Sequence, residues 1–191
     1  MLEPTSIDKR QKAVQVITNT FMANPSVNIV IGDGGNKKRK IKRLADYAFV
    51  KAYNRNGAWL SSNEKGAALF FRSDAGKANL KEIYYELRFA FSIPPSKVIA
   101  ALQRENYIKQ HRSPNPHLYF WFLGVEKGGN KAVYELKNSA FAIAKKEGLP
   151  ILLETSVMRN VIAYERYGFK TYHTWKDQKN GISLWFMRWE P

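Results

Sequence analysis

A chain of 191 residues, 45% of them hydrophobic and 25% charged, has the size and composition of one globular domain and lies outside the disordered class. It has no cysteine, which excludes a disulfide framework, a cysteine-ligated zinc and a cysteine nucleophile, so any acyl transfer must be direct. Against 16 Asp and Glu stand 31 Lys and Arg, a net +15, a field that attracts polyanions such as nucleic acid, anionic lipid or a phosphorylated cofactor. No run of about 18 apolar residues is present to span a bilayer. The opening MLEPTSIDKRQK lacks the apolar region of a signal peptide, so the expectation is a single cytoplasmic domain over residues 1–191, monomeric or homodimeric and not membrane-bound.

In chain order, Ser6 to about Met22 reads as a helix with Ser6 as N-cap and Val14, Ile17 and Phe21 on its apolar stripe. Asn24-Pro25 ends it. Val27, Ile29 and Ile31 alternate as a strand does, and Asp33-Gly34-Gly35-Asn36 turns the chain into a helix whose buried face carries Ile41, Leu44, Ala45, Ala48, Phe49 and Ala52. Six cations lie within Lys37–Arg43, where the helix dipole disfavours positive charge; a solvated helix end and an anion site are both open.

Gly57–Leu60 and Ala67–Arg72 flank Asn63-Glu64-Lys65-Gly66 as an antiparallel hairpin. Two helices follow, roughly Ala78–Phe91 and Pro95–Lys109. Glu82 and Glu86 share one face of the first, a spacing open to acid–base work but expected for a solvated or lysine-paired face. His117–Val125 is apolar at both parities, with Leu118, Phe120 and Phe122 on one face and Tyr119, Trp121, Leu123 and Val125 on the other, the signature of a strand covered on both sides. Val133, Leu136, Ala140, Ile143 and Ala144 then mark a helix that Gly148 and Pro150 stop. Ile151–Ser156, Phe169–Thr174 and Ile182–Trp189 read as strands and Arg159–Tyr167 as a short helix, so the crossover from His117–Val125 to Ile151–Ser156 predicts a parallel βαβ unit.

Three places could carry chemistry. The junction GVEKGGNKAVYELK, Gly124–Lys137, offers unpaired N–H groups at a helix start, glycines that permit close approach, and the charges of Lys127 and Lys131; it reads either as a phosphate cradle or as a plain turn. His111, His117 and His173 have no metal-ligand spacing with carboxylates. No nucleophile elbow or P-loop occurs, and no nucleic-acid signature accompanies the basic cluster.

The segment N-V-I-A-Y-E-R-Y-G-F, Asn160–Phe169, together with HLYFWFLGV, KKEGLPILLETS and SLWFMRW, resembles the GNAT superfamily of N-acetyltransferases. The layout upstream, a cationic helix start, the GAWLSS/NEKGAALFF hairpin and HRSPNPHLYF, is similar to the branch containing puromycin N-acetyltransferase. The resemblance implies a GNAT-like α/β (α+β) fold, a three-layer α/β/α domain whose mixed sheet splays between its fourth and fifth strands. It implies acetyl-CoA as co-substrate, no metal, and a small-molecule amine as acceptor. Leu123, Gly124 and Val125 would offer backbone groups to pantetheine, with the Val125 N–H at the oxyanion. Gly128, Gly129, Asn130, Lys131, Ala132 and Val133 would place N–H groups around the pyrophosphate beside Lys127. Asn160 would contact the cofactor and Tyr164 would protonate the departing thiolate.

The family's glycine pattern Q/R-x-x-G-x-G/A maps onto Gly128, Lys131 and Val133, so the glutamine or arginine and the later glycines are absent and the loop is degenerate. A substrate amine of pKa near ~10 must lose a proton before it attacks. Glu154 is a candidate base, against a structural ion pair. Trp59, Tyr84, Tyr85, Phe89, Phe91, Tyr119 and Trp121 could wall an acceptor pocket. The competing readings are a GNAT-like CoA-binding protein without catalysis and a basic nucleic-acid module using Lys37–Arg43.

Overall fold

The computed structural model describes residues 2–191. A short 3-10 turn at Ile7–Lys9 leads into α1 (Arg10–Thr20), followed by α2 (Pro25–Ile31) and α3 (Lys37–Tyr53). The hairpin β1 (Ala58–Leu60) and β2 (Gly66–Arg72) precedes α4 (Leu80–Ala90) and α5 (Pro95–His111). Then come β3 (Leu118–Val125), α6 (Asn130–Glu147), β4 (Ile151–Thr155), α7 (Met158–Arg166), β5 (Lys170–Asp177) and β6 (Ile182–Trp189).

Among the described residues the strands form one mixed sheet in the order β1-β2-β3-β4-β6-β5. Only β3 and β4 are parallel, joined by α6 as the sequence pattern predicts, and every other neighbouring pair is antiparallel. One face of the sheet buries α1, α2 and α3 through Ile17, Ile31, Ile41 and Phe49. The other buries α6 and α7 through Leu136, Ala140, Ala144 and Val161. At roughly 1.5–3 kcal/mol for each fully buried large side chain, these two layers supply most of the driving force for the fold. A smaller cluster seats Ile108 of α5 on Leu184 and Phe186 of β6.

Three local expectations are corrected. Val27–Ile31 is helical, because the Asn24 side chain accepts the Val27 N–H at 3.1 Å and Pro25 occupies the first turn, where its missing N–H costs nothing. The sheet therefore has one strand fewer than expected, and the expected fourth and fifth strands are β3 and β4. Ser6 makes no cap bond to the backbone; its hydroxyl donates to Asp8.

The third correction concerns the two faces of β3. Leu69 pairs with Phe122 and Phe70 with Phe120, so Trp121 is an extra residue in β3, a bulge. The bulge reverses the alternation beyond it: Phe122 joins Tyr119 and Trp121 on the α1/α3 face, whereas Leu123 joins Leu118 and Phe120 on the α6 face.

Candidate active site

Parallel pairing of β3 with β4 stops after two positions, Leu118 with Ile151 and Tyr119 with Leu152. Beyond them the strands part. The Glu126 N–H donates to the Lys65 carbonyl on the β2 side at 2.8 Å, so strand alternation directs the N–H and C=O groups of Val125 and Leu123 to the opposite edge, where β4 has diverged. Without the Trp121 bulge the same residues would face β2.

A groove of about 660 Å³ runs over this opening. Leu123 and the Glu154–Ser156 end of β4 line it, as do Asn160 and Tyr164 of α7 and the inner faces of α3, α4 and α5. It therefore brings together Leu123, Glu154, Asn160 and Tyr164 of the expected site. The loop from Lys127 to Val133 lies past the end of β3, outside the groove lining.

That loop is a tight turn. Gly128 has φ +79°, the left-handed region that favours glycine. At Gly129 a Cβ would fall 2.7 Å from Val125 Cγ1 and 2.9 Å from the Glu126 carbonyl oxygen. The Gly129 and Ala132 N–H groups are taken by the carbonyls of Glu126 and Gly129. Gly129 is the N-cap of α6 and provides no side-chain cap, which leaves the remaining first-turn N–H groups at Asn130 and Lys131 facing outward with the helix dipole behind them. Lys127 and Lys131 are exposed. Lys65, at the tip of the β1–β2 hairpin, extends its Nζ to 3.6 Å from the Gly128 Cβ position. Sequence reading missed this third cation because the hairpin's closure onto the loop is a long-range contact. Gly124 has a different duty: a Cβ there would meet Thr20 Oγ1 at 2.2 Å, so glycine lets α1 cross close over β3.

Tyr164 is half-buried between the groove and the α6-side core, where it packs on Phe169 at 5.5 Å between centroids. Burial, with a smaller contribution from Tyr167, pushes its hydroxyl pKa up to about 12. Asn160 lies in the first turn of α7, its Nδ2 donating to the Thr155 hydroxyl at 3.5 Å.

Glu154 is held on three sides. Arg112 Nε donates to Oε1 at 2.8 Å, Arg112 Nη2 donates to Oε2 at 2.9 Å, and the Tyr119 hydroxyl donates to Oε2 at 3.1 Å. The Arg112 guanidinium also lies 3.7 Å from the Tyr119 ring centroid. Burial works against the charge on Arg112, but Tyr119 and Glu154 outweigh it and hold the pKa above the ordinary arginine value.

On the opposite wall, Lys51 Nζ donates to the Tyr47 hydroxyl at 3.2 Å and lies 5.2 Å from the Trp121 ring centroid. Its burial lowers the ammonium pKa. Of the aromatic residues considered for an acceptor pocket, Phe89, Tyr119 and Trp121 line the groove. Trp59 is buried in the opposite core against Phe70, Tyr84 and Phe91 are exposed, and Tyr85 holds Arg10.

The carboxylate pair on α4 is divided between a buried position and the solvated one expected, Glu86 being exposed. Glu82 is buried and accepts from Arg55 Nη1 at 2.7 Å, while Glu86 lines the groove. The basic cluster is divided as well. Lys40 is buried, its Nζ set among the carbonyl oxygens of Ile31, Gly32, Asp33 and Gly34 at 2.7–3.4 Å, and Lys42 pairs with Asp46. Among the described residues no group of three His, Asp or Glu side chains could hold a metal ion.

No protein-family model matches the chain, and no curated protein matches it in sequence. Solved structures do match in fold. A crystal structure from Corynebacterium glutamicum described as histone acetyltransferase HPA2 and related acetyltransferase aligns with a TM-score of 0.67 at 19% identity, covering 100% of this chain and 97% of that one. The C-terminal condensation domain of Ebony, in complex with beta-alanyl-dopamine, gives 0.67 at 13% identity over 100% of both chains. Arylalkylamine N-acetyltransferase 2 from Aedes aegypti gives 0.66 at 15% identity, covering 100% of this chain and 98% of that one. The chain has the mixed α/β fold of the GNAT acetyltransferases.

Proposed function

We propose that the chain is an N-acyltransferase that takes its acyl group from acetyl-CoA and passes it directly to the amine of a small molecule. The observation that carries this reading is the parting of β3 and β4 after two paired positions, with the backbone of Leu123 and Val125 aimed into the gap. A free strand edge is a hydrogen-bonding partner for a polar linear chain such as pantetheine. The uncapped start of α6 with Lys65, Lys127 and Lys131 suits a pyrophosphate, because its donors are backbone groups that survive the loss of the family's glycines. Bound there, acetyl-CoA supplies the acetyl group as a reactive thioester.

The chain's own residues supply position and protons. Leu123 and Val125 hold the extended arm, the Val125 N–H stabilises charge developing on the carbonyl oxygen, and Asn160 fixes the arm from α7. The Tyr164 hydroxyl, protonated up to about pH 12, is the donor to the leaving sulfur. Glu154 is read as a positioning residue instead of the base, because a proton on its carboxylate would dismantle the pair with Arg112. The amine's proton then leaves through water. The hairpin after a cationic helix start supports a place in the branch with puromycin N-acetyltransferase.

The departure at Lys131 and Val133 from the family's glycine positions favours a second reading, CoA binding without transfer. Release of free thiol from acetyl-CoA across a panel of arylalkylamines, diamines and amino acids separates the two. Amine-dependent release supports transfer, and tight CoA binding with no release by any amine rejects it.

A further inference from the structure

Helix α4 is amphipathic in two directions. Its inner face packs Glu82 and Phe89 against the rest of the domain, whereas Leu80, Ile83, Tyr84, Leu87 and Phe91 form one continuous stripe on the outer face. Leu80 is 86% exposed and Phe91 84% exposed. Large side chains carry about 150–250 Å² each when fully exposed, so the stripe presents on the order of 600 Å² of apolar surface, the upper end of what a typical monomer leaves uncovered.

Charge selects what covers it. At helical spacing Lys81 and Arg88 lie together along one flank of the stripe, with Lys77 just ahead of the helix, against a single exposed carboxylate, Glu86, on the other flank. Glu82 meets Arg55 just beyond the end of α3, and Glu86 lies beside Tyr47 one to two turns earlier. Hence α4 runs antiparallel to α3, and its Phe91 end points toward the exposed Lys37, Lys38 and Arg39. A second copy fits poorly: two-fold antiparallel pairing of the stripe sets Lys81 and Arg88 beside the same two cations of the other copy, in a chain of net charge +15.

We propose that α4 docks this protein on the surface of membranes containing anionic lipid, the apolar stripe entering the headgroup boundary and the flanking cations meeting lipid phosphates and carboxylates. An exposed apolar ridge with a cationic flank, continued by the exposed Lys37, Lys38 and Arg39 near its Phe91 end, has the shape and charge of an in-plane interfacial helix. No helix among the described residues is long and apolar enough to cross a membrane, so the attachment is peripheral. It stands independently of the catalytic reading.

The test is flotation of the full chain with vesicles of phosphatidylcholine alone and of phosphatidylcholine with phosphatidylserine. Binding to the second, weakened by salt and reduced roughly tenfold or more by Leu87→Glu/Phe91→Ser and by Lys81→Glu/Arg88→Glu, supports the proposal. Both variants change exposed side chains, and an unchanged Tm establishes that they fold; Tyr172→Ser, on β5, serves as a control that retains binding. Absence of binding to anionic vesicles overturns the proposal, as does binding that ignores lipid charge or the α4 substitutions. Concentration-dependent dimerisation abolished by Leu87→Glu/Phe91→Ser would also overturn it and assign the stripe to a second copy.

Discussion

Arg112, at the end of α5, grips Glu154 of β4 through two hydrogen bonds of 2.8 and 2.9 Å. The pair ties the long insertion between β2 and β3 to the sheet at the point where β3 and β4 separate. Both side chains are largely buried, at 11% and 5% exposure. Removing one partner strands the other charge, so Arg112→Ala is expected to cost about 3–5 kcal/mol, read from chemical denaturation. Glu154→Gln keeps the shape and tests the assigned role. A positioning residue predicts a raised KM with an unchanged pH profile, whereas loss of the acidic limb of kcat/KM would identify Glu154 as the base.

Tyr164→Phe leaves the core contact with Phe169 and removes only the hydroxyl. We expect kcat to fall by roughly 10²-fold or more with CoA affinity nearly unchanged, measured by steady-state kinetics and calorimetry. The pH profile gives a second check. The folded hydroxyl holds its proton more tightly than the ordinary value near ~10, so the stability gained by burying it neutral is present below that value and is lost as pH rises through about 12. Wild-type kcat should therefore show no alkaline fall from this group between about pH 7 and pH 10.

Lys65 and Lys131 stand around the start of α6 on separate elements. If they face a pyrophosphate, Lys65→Ala and Lys131→Ala each weaken CoA binding by about 0.3–1 kcal/mol, an effect that fades at high salt. The comparison ligand is the dephosphorylated pantetheine arm, whose binding should not respond to either substitution. Equal losses for both ligands would move the anion site elsewhere.

Gly124→Ala forces a methyl group into Thr20 Oγ1, and overpacking of this kind costs about 1–3 kcal/mol. Thr20→Ala removes the obstructing atom. The double variant should recover part of the lost Tm, a positive coupling that a backbone effect at Gly124 would not give.

The βαβ crossover, the double-sided β3 and the α6 stripe could be read from periodicity alone, because each is a long apolar pattern with one period. Where a local signal had two meanings, the reading went astray. Asn24-Pro25 ends one helix, but it also caps and opens the next, and Val27, Ile29 and Ile31 alternate over a stretch too short to separate strand from helix. The Trp121 bulge leaves no mark in an unbroken run of aromatics, although it decides which residues face the gap. Lys40 looked like one cation among six; its burial under the carbonyls that end α2 depends on the intervening turn. Of the candidate site, Leu123, Asn160 and Tyr164 are expected from the family spacing and line the groove, while Lys65, Lys51 and Arg112 reach the groove and its loop through contacts between distant segments.

The central claim is that the gap between β3 and β4, continued by the start of α6, is built for coenzyme A. Calorimetric titration of the purified chain with CoA and acetyl-CoA tests it most directly. The account predicts saturable binding of both at one site per chain, with the Lys65→Ala/Lys131→Ala variant weakened. No heat of binding for either ligand up to millimolar concentration would contradict it.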